Sequence, residues 1–464
     1  MNKPNFNYQP FLLILGLSFI LTLSSFFNSS FNLAGYQSKK INFLDDIFSF
    51  QEIKKVPLPS LIVSGEIVAK DSAELFARKI DTENIVDTKI DSGSTALSHF
   101  FEALSKTKNK EHKTRIAYFG DSMIEGDLIT QDFRSLLQNT FGGSGVGFVP
   151  ITSIVAGFRT SIQHSFGNFT TYNLMQDAVK SHPLGISGYS FVPEITNTES
   201  ATSTNSWVKY TATNKKHLNE FENFSIIYGI SNDDNYLLVN QSKKQIDGKK
   251  DVNLTSFNFE KPVKSIDAKF FCNNALTIFG CSVESTEGII VDNFSFRGNA
   301  GMGISKTNDN ILQLTQSQLQ YDLIILEYGL NAVSPKVTDF SWYEKGMDNT
   351  IKKIKRCFPN TSILLISVGD KAYKKESNYE TDPSVPILVA SQKHLAEKNK
   401  IAFWSLYDAI GGEGTMVKWV ECDTPLANKD YTHFNFRGAH KVGTLLYNKL
   451  MSEFKDYKKE NFKP

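Results

Sequence analysis

The sequence predicts an α/β domain built on a doubly wound parallel sheet and interrupted by an inserted antiparallel β-sandwich. Two observations carry the α/β part. Wholly apolar runs alternate with amphipathic helical patterns in the second half of the chain, as expected for strands buried on both faces. The same strand-then-helix order occurs once more near residue 115. A third observation carries the sandwich. Between these regions lies a stretch rich in Asn, Ser, Thr and Lys, in which short alternating runs are separated by turn residues.

Residues 1–30 are read as a membrane anchor or signal peptide. Phe11 to Phe27 (FLLILGLSFILTLSSFF) is almost wholly apolar, with only Lys3 charged before it, and a core helix would show a polar face. Its length sits between a signal core and a full membrane span, and no small-x-small cleavage site follows. A retained anchor and a cleaved signal both remain open. Either places the rest of the chain in a non-cytoplasmic compartment, facing the periplasm if anchored and secreted if cleaved. Residues 31–93, with Pro57, Pro59 and scattered charges, read as a stalk.

Residues 94–166 form the first part of the α/β domain. Ser94 can cap a helix whose Leu97, Phe100, Phe101 and Leu104 share a face. Arg115 to Phe119 is a buried-strand pattern ending at Gly120, and Asp132 to Phe141 is the helix after it. Residues 167–284 form the inserted sandwich, with strands expected at Trp207 to Thr211, Ser225 to Ile230, Tyr236 to Val239, Leu254 to Phe259 and Ile266 to Phe271. Residues 285–464 return to the α/β pattern. Strands are expected at Leu323 to Glu327, Ser362 to Val368 and Ile401 to Leu406. Helices are expected at Trp342 to Cys357, Val385 to Lys398 and Arg437 to Phe454.

Bulk composition narrows the function. The 464 residues carry 50 Lys plus Arg against 49 Asp plus Glu, so no basic excess points to nucleic acid. The four cysteines show no CxxC spacing, which leaves a zinc site without support. An exported chain permits a Cys272–Cys281 bridge across FFCNNALTIFGC, or a long-range Cys357–Cys422 pair, with buried free thiols as the alternative for each.

Four separated pieces suit one chemistry. Ser122 follows Gly120-Asp121 at a strand-to-helix turn, where a hydroxyl and its amide can be presented together. Alone it would read as a helix cap. Asp430-Tyr431-Thr432-His433 puts a carboxylate and an imidazole within one turn, so Asp430 can hold Nδ1–H while Nε2 faces a serine. No further ligands cluster there to suggest a metal. Gly298, in Phe296-Arg297-Gly298-Asn299, lets a backbone N–H approach a substrate oxygen, and Asn331, in Tyr328-Gly329-Leu330-Asn331, can aim an amide at it. Ser122, Asp430 and His433 are therefore the candidate catalytic residues. Ser122, Gly298 and Asn331 are the candidate oxyanion donors. The set requires no cofactor and no metal.

The order of these residues resembles the SGNH (GDSL-type) hydrolase superfamily, whose four name residues match Ser122, Gly298, Asn331 and His433. Asp430 matches its Asp-x-x-His aspartate. One departure is Ala332, where the third block usually carries aspartate after the asparagine, and it points away from the secreted lipase branches. Phe119 to Pro150, Tyr407 to Trp419 and Asp430 to Ala439 (DYTHFNFRGA) resemble bacterial peptidoglycan O-acetylesterases. The resemblance covers about residues 94–450. It implies the flavodoxin-like sheet of that superfamily, an inserted domain resembling a carbohydrate-binding module, and no cofactor.

The reading that follows is a cell-envelope serine esterase that removes acetyl groups from peptidoglycan or another polysaccharide. An O-acetyltransferase supplied by a membrane acyl-donor protein would use the same residues, and a non-catalytic glycan-binding envelope protein is the rival from another class. Trp207, Tyr210 and Tyr228 are offered either to sugars or to the sandwich core.

Overall fold

The computed structural model describes residues 32–33, 36–37 and 89–461, apart from 92, 177–181, 196–204 and 233. The apolar run Phe11 to Phe27 and most of the expected stalk lie outside the described residues. Among the described residues, no helix is long and apolar enough to cross a membrane. Within residues 1–81 the structure describes one antiparallel pair, Asn32 opposite Gln37 and Leu33 opposite Tyr36.

The remainder of the chain centres on a five-stranded parallel sheet. Its strands are β1 (Thr114–Gly120), β2 (Ile289–Ser295), β3 (Leu323–Glu327), β4 (Ser362–Ile366) and β5 (Ala402–Trp404). They lie in the order β2-β1-β3-β4-β5. The order reverses between β1 and β3, and in such sheets the crevice beyond the strand ends at that reversal is where ligands bind.

Why these runs are apolar throughout is visible in the packing. Ile116, Tyr118, Leu323, Ile325, Leu364 and Ile366 point to one face. There they meet helices α1 (Ser98–Lys108), α2 (Thr130–Phe141) and, at the C-terminus, α6 (Phe436–Asn461) through Phe101, Leu137 and Leu450. The intervening Ala117, Phe119, Ile324, Leu326, Ile363 and Leu365 point the other way. They meet α3 (Asp309–Leu319), α4 (Ser341–Cys357) and α5 (Ser384–Asn399) through Leu312, Ile351 and Leu395. Period-two alternation thus feeds two hydrophobic layers, and neither face tolerates a polar stripe.

The sandwich sits between α2 and β2. A five-stranded antiparallel sheet runs 242–245, 236–239, 265–271, 207–211, 163–167. The second sheet runs 253–263, 221–228, 278–284, 189–193, 169–173, with Gly147–Val149 paired onto Ile278–Glu284. Val208, Phe224, Ile226, Leu237, Ile266 and Phe270 fill the space between them. Gly147–Val149 and Gln163–Gly167 belong to these sheets, ahead of the boundary expected at residue 167.

Arg115 joins the two folded parts. It is 1% exposed; Nε and Nη2 donate to Asp292 on β2 at 2.7 and 3.1 Å, and Nη1 donates to Glu284 of the sandwich at 2.6 Å. Burial alone would raise the Glu284 carboxyl, but Arg115 and Lys113 hold it down at about 2. A buried charge is tolerable only when matched in this way.

The structure decides between alternatives that the sequence left open, and it moves one strand end. All four cysteines are free thiols, so neither proposed bridge exists: Cys272 and Cys281 are buried among sandwich side chains, and Cys357 is buried under the parallel sheet. Burial pushes the Cys272 thiol up to about 12. The strand expected to run to Leu406 ends at Trp404, because Ser405 caps a short helix, Leu406–Ile410. Tyr210 and Tyr228 are fully buried, and Trp207 packs against Gly167, so these aromatics serve the sandwich itself.

Candidate active site

Register brings the site together. Gly120 at the end of β1 pairs with Ser295 of β2 on one side and Glu327 of β3 on the other. Ser122, Gly298 and Asn331 follow these aligned residues by two, three and four positions, so three distant motifs emerge from one edge of the sheet. Gly120 is required at this point: a Cβ there would lie 2.8 Å from the Ile124 side chain and 3.1 Å from the Glu327 carbonyl oxygen.

The Asp121 side chain, not Ser122, caps the following 3-10 turn, Ser122–Asp127, by accepting from the Met123 N–H at 3.0 Å. That leaves the Ser122 hydroxyl free of a capping role. Ser122 Oγ lies 2.8 Å from His433 Nε2. His433 Nδ1 lies 2.7 Å from Asp430 Oδ2, while Asp430 Oδ1 accepts from the backbone N–H groups of Thr432 and His433, each at 3.0 Å. Burial pushes the Asp430 carboxyl up, yet these hydrogen bonds outweigh it and hold the group below its ordinary value. The carboxylate is therefore the favoured partner for the ring, and it selects the tautomer with Nδ1–H and an accepting Nε2.

The turn that carries this pair is fixed from outside. Tyr431 adopts φ 55°, its ring stacks on Tyr379 at 3.6 Å with the planes 3° apart, and its hydroxyl donates to Glu421 at 3.0 Å. Its carbonyl accepts from the Ala372 N–H at 3.0 Å. A hairpin, Ala372–Lys375 with Asn378–Thr381, thereby braces the histidine loop.

Gly298 has φ 75°, a conformation that favours glycine, and a Cβ there would meet nothing within 4 Å. It therefore faces open space in the cleft and leaves room for a substrate atom. Asn331 is exposed in the same cleft, and its Nδ2 donates to Asp121 Oδ2 at 3.3 Å and to the Asn299 carbonyl at 3.1 Å. The amide is held against the Gly298 loop, and a third acceptor there must displace one of these two. Asp121 is 1% exposed; burial pushes its carboxyl up to about 6 against the opposing Met123 and Leu330 N–H groups, His433 and Asn331.

Ser122, Gly298, Asn331, Asp430 and His433 share a cleft of about 790 Å³. Sequence reasoning missed several of its walls: Phe158, Lys371 and Phe436 line it, as do Glu125 and Arg297, which form an ion pair across its rim. No local pattern marks Phe158 or Lys371, since both reach the cleft from loops. Among the described residues no cluster of His, Cys, Asp or Glu has the makings of a metal site.

A 2-1-3-4-5 parallel sheet that presents serine, glycine, asparagine and histidine at one edge has the SGNH hydrolase fold. A solved peptidoglycan O-acetylesterase is similar over 77% of this chain and 96% of its own, with a TM-score of 0.63 and 20% identity. An acetyl xylan esterase matches 34% of this chain and 80% of its own at 19% identity, with a TM-score of 0.26. A family two carbohydrate esterase from Cellvibrio japonicus matches 63% and 99% at 10% identity, also with a TM-score of 0.26. The first likeness bears on the fold; the other two are too weak to do so. No family model and no curated protein matches the chain.

Proposed function

We propose that this protein is a serine-dependent carbohydrate O-acetylesterase of the cell envelope, held at the membrane by its N-terminal apolar segment. The observation that carries the reading is the unbroken chain Ser122–His433–Asp430 at 2.8 and 2.7 Å, opening on a cleft that also contains Gly298 and Asn331. The likeness to a peptidoglycan O-acetylesterase supports a glycan ester as substrate.

Ser122 Oγ attacks the acyl carbonyl carbon while His433 Nε2 takes the hydroxyl proton, and Asp430 stabilises the resulting imidazolium. The carbonyl oxygen becomes an oxyanion facing the Ser122 and Gly298 N–H groups and the Asn331 amide. Each such donor is worth roughly 3 kcal/mol in the transition state. Collapse breaks the bond to the sugar oxygen, which takes the proton from His433. Water then attacks the acyl-enzyme, gives a proton to His433, and releases acetate as Ser122 recovers its own.

The test uses the full chain and Ser122→Ala with an activated acetyl ester, with and without glycan acceptors. The acetyl group is followed by mass spectrometry. Free acetate whatever the acceptor, lost in the variant, supports the esterase. Acetyl transferred to glycan makes it an acetyltransferase fed by an acyl donor, and no Ser122-dependent turnover leaves a glycan-binding protein.

A further inference from the structure

The cleft holds two features that ester cleavage does not use. The first is aromatic. Phe158 and Phe436 approach with ring centroids 5.3 Å apart and planes tilted by 32°, and they remain 45% and 42% exposed at the cleft wall. Phe158 is held in place. Its ring lies against Gly126, where a Cβ would come within 2.3 Å of it, and the next residue, Arg159, is buried against Asp127 at 3.3 Å and Ser161 at 2.8 Å. Burial would raise the Asp127 carboxyl, but Arg134 and Arg159 hold it at about 2, so this anchor stays charged. Two prearranged aromatic rings in the cleft that holds a polar nucleophile suit the C–H face of a sugar ring.

The second is a cation. Arg297 is already engaged, its Nε donating to both Glu125 oxygens at 3.2 and 3.0 Å. Asp430 is engaged by His433. Lys371 lines the same cleft, and its Nζ donates only to the Val333 carbonyl, at 3.3 Å; among the described residues no carboxylate pairs with it. A half-buried ammonium with two unused donors, in the cleft that also holds the candidate nucleophile, favours an anionic group on the substrate.

We infer that the cleft selects an acidic sugar, with Phe158 and Phe436 supporting the ring that carries the ester and Lys371 receiving a carboxylate on the same or the adjoining ring. This rests on Ser122 being the acyl acceptor, and it goes further by naming the substrate class.

The test compares O-acetylated polygalacturonate with the same polymer after reduction of its carboxylates to alcohols. For the wild-type full chain, kcat/KM on the acidic polymer should exceed that on the reduced polymer about tenfold or more. In Lys371→Met that ratio should fall to near one, mainly through KM, and Lys371→Arg should restore most of it. Phe158→Ala should raise KM on both polymers and leave their ratio intact. A second readout needs no turnover: affinity electrophoresis of Ser122→Ala in gels containing either polymer should show retardation by the acidic one that is lost on adding Lys371→Met. Equal handling of the two polymers by the wild type, or a ratio unchanged in a folded Lys371→Met, overturns the inference. Absence of Ser122-dependent turnover on any ester would overturn the esterase reading instead, with the gel result still deciding for or against acidic-glycan recognition.

Discussion

Asp121 Oδ2 and the Asn299 carbonyl share the Asn331 amide nitrogen, at 3.3 and 3.1 Å. A buried carboxylate thus holds one candidate oxyanion donor against the loop that bears another, Gly298. Asn331→Ala should lower kcat about 10²–10³-fold with a small change in KM, because the lost bond matters most in the transition state. Asp121→Asn should lower kcat less, since its amide can still face Asn331 in one orientation. Steady-state kinetics on an activated acetyl ester would check both. An Asn331→Ala change confined to KM would remove Asn331 from the oxyanion site.

The Tyr431–Tyr379 stack braces the turn that presents Asp430 and His433. Tyr379→Ala should reduce kcat several-fold while moving the unfolding midpoint little, as the ring pair is partly exposed. Tyr379→Phe should recover activity, since stacking needs only the ring. Removing Asp430 itself should cost more, roughly 10²–10⁴-fold in kcat. If Tyr379→Phe were as impaired as Tyr379→Ala, the hydroxyl rather than the stack would be responsible.

Arg115 bridges the parallel sheet and the sandwich from a position with almost no solvent contact. Arg115→Met leaves Asp292 without its cation and Glu284 with Lys113 alone, and should cost about 3–5 kcal/mol of stability. Replacing both carboxylates with amides in the same chain should return part of that loss. Urea unfolding of the single and combined variants would measure the coupling, and simple additivity would show that the three groups act independently.

Glu327 supplies a pH dependence whose sign is definite. Burial, with a contribution from the charge of Asp121, pushes its carboxyl from an ordinary 4.5 up to about 8, and the Tyr118 hydroxyl opposes the shift. A carboxyl raised in the folded state binds its proton more tightly there than in the unfolded chain. Its contribution to stability is therefore full below pH 4.5 and is lost as pH rises through about 8. Asp121, raised to about 6, acts in the same direction over a lower window. Glu327→Gln cannot ionise, so it should lose less stability than the wild type between pH 6 and 9 in urea titrations. Equal losses would place the dependence elsewhere.

Much of the fold was legible because its strands are unmixed. Leu323–Glu327 and Ser362–Ile366 stand out as buried runs, the second expected two residues too long, and α4 and α5 as helical ones. Strand β2 was not legible. Asp292 and Asn293 interrupt it, and only the folded chain supplies Arg115, Tyr321 and Thr130 to satisfy them. Helix α3 did carry a signal, an Asn308 cap before Ile311, Leu312, Thr315 and Leu319 on one face. The sandwich strands 169–173, half-exposed, and 189–193, mostly buried, carry little apolar contrast, so alternation there is faint.

Local spacing was enough to read the polar candidate-site residues and the short pieces that carry them: a glycine where strand meets turn, and an Asp-x-x-His segment short enough to close on itself. That these pieces meet follows from the folded arrangement alone. Parallel register aligns Gly120 with Ser295 and Glu327, and α6 with the braced loop before it delivers His433 to a serine 311 positions away. The same packing placed Phe158 and Lys371 in the cleft and left the four cysteines as free thiols. Local spacing encodes what a single turn or strand can do, whereas the side chains that loops bring into a shared cleft depend on how strands pair and helices pack across the whole sheet.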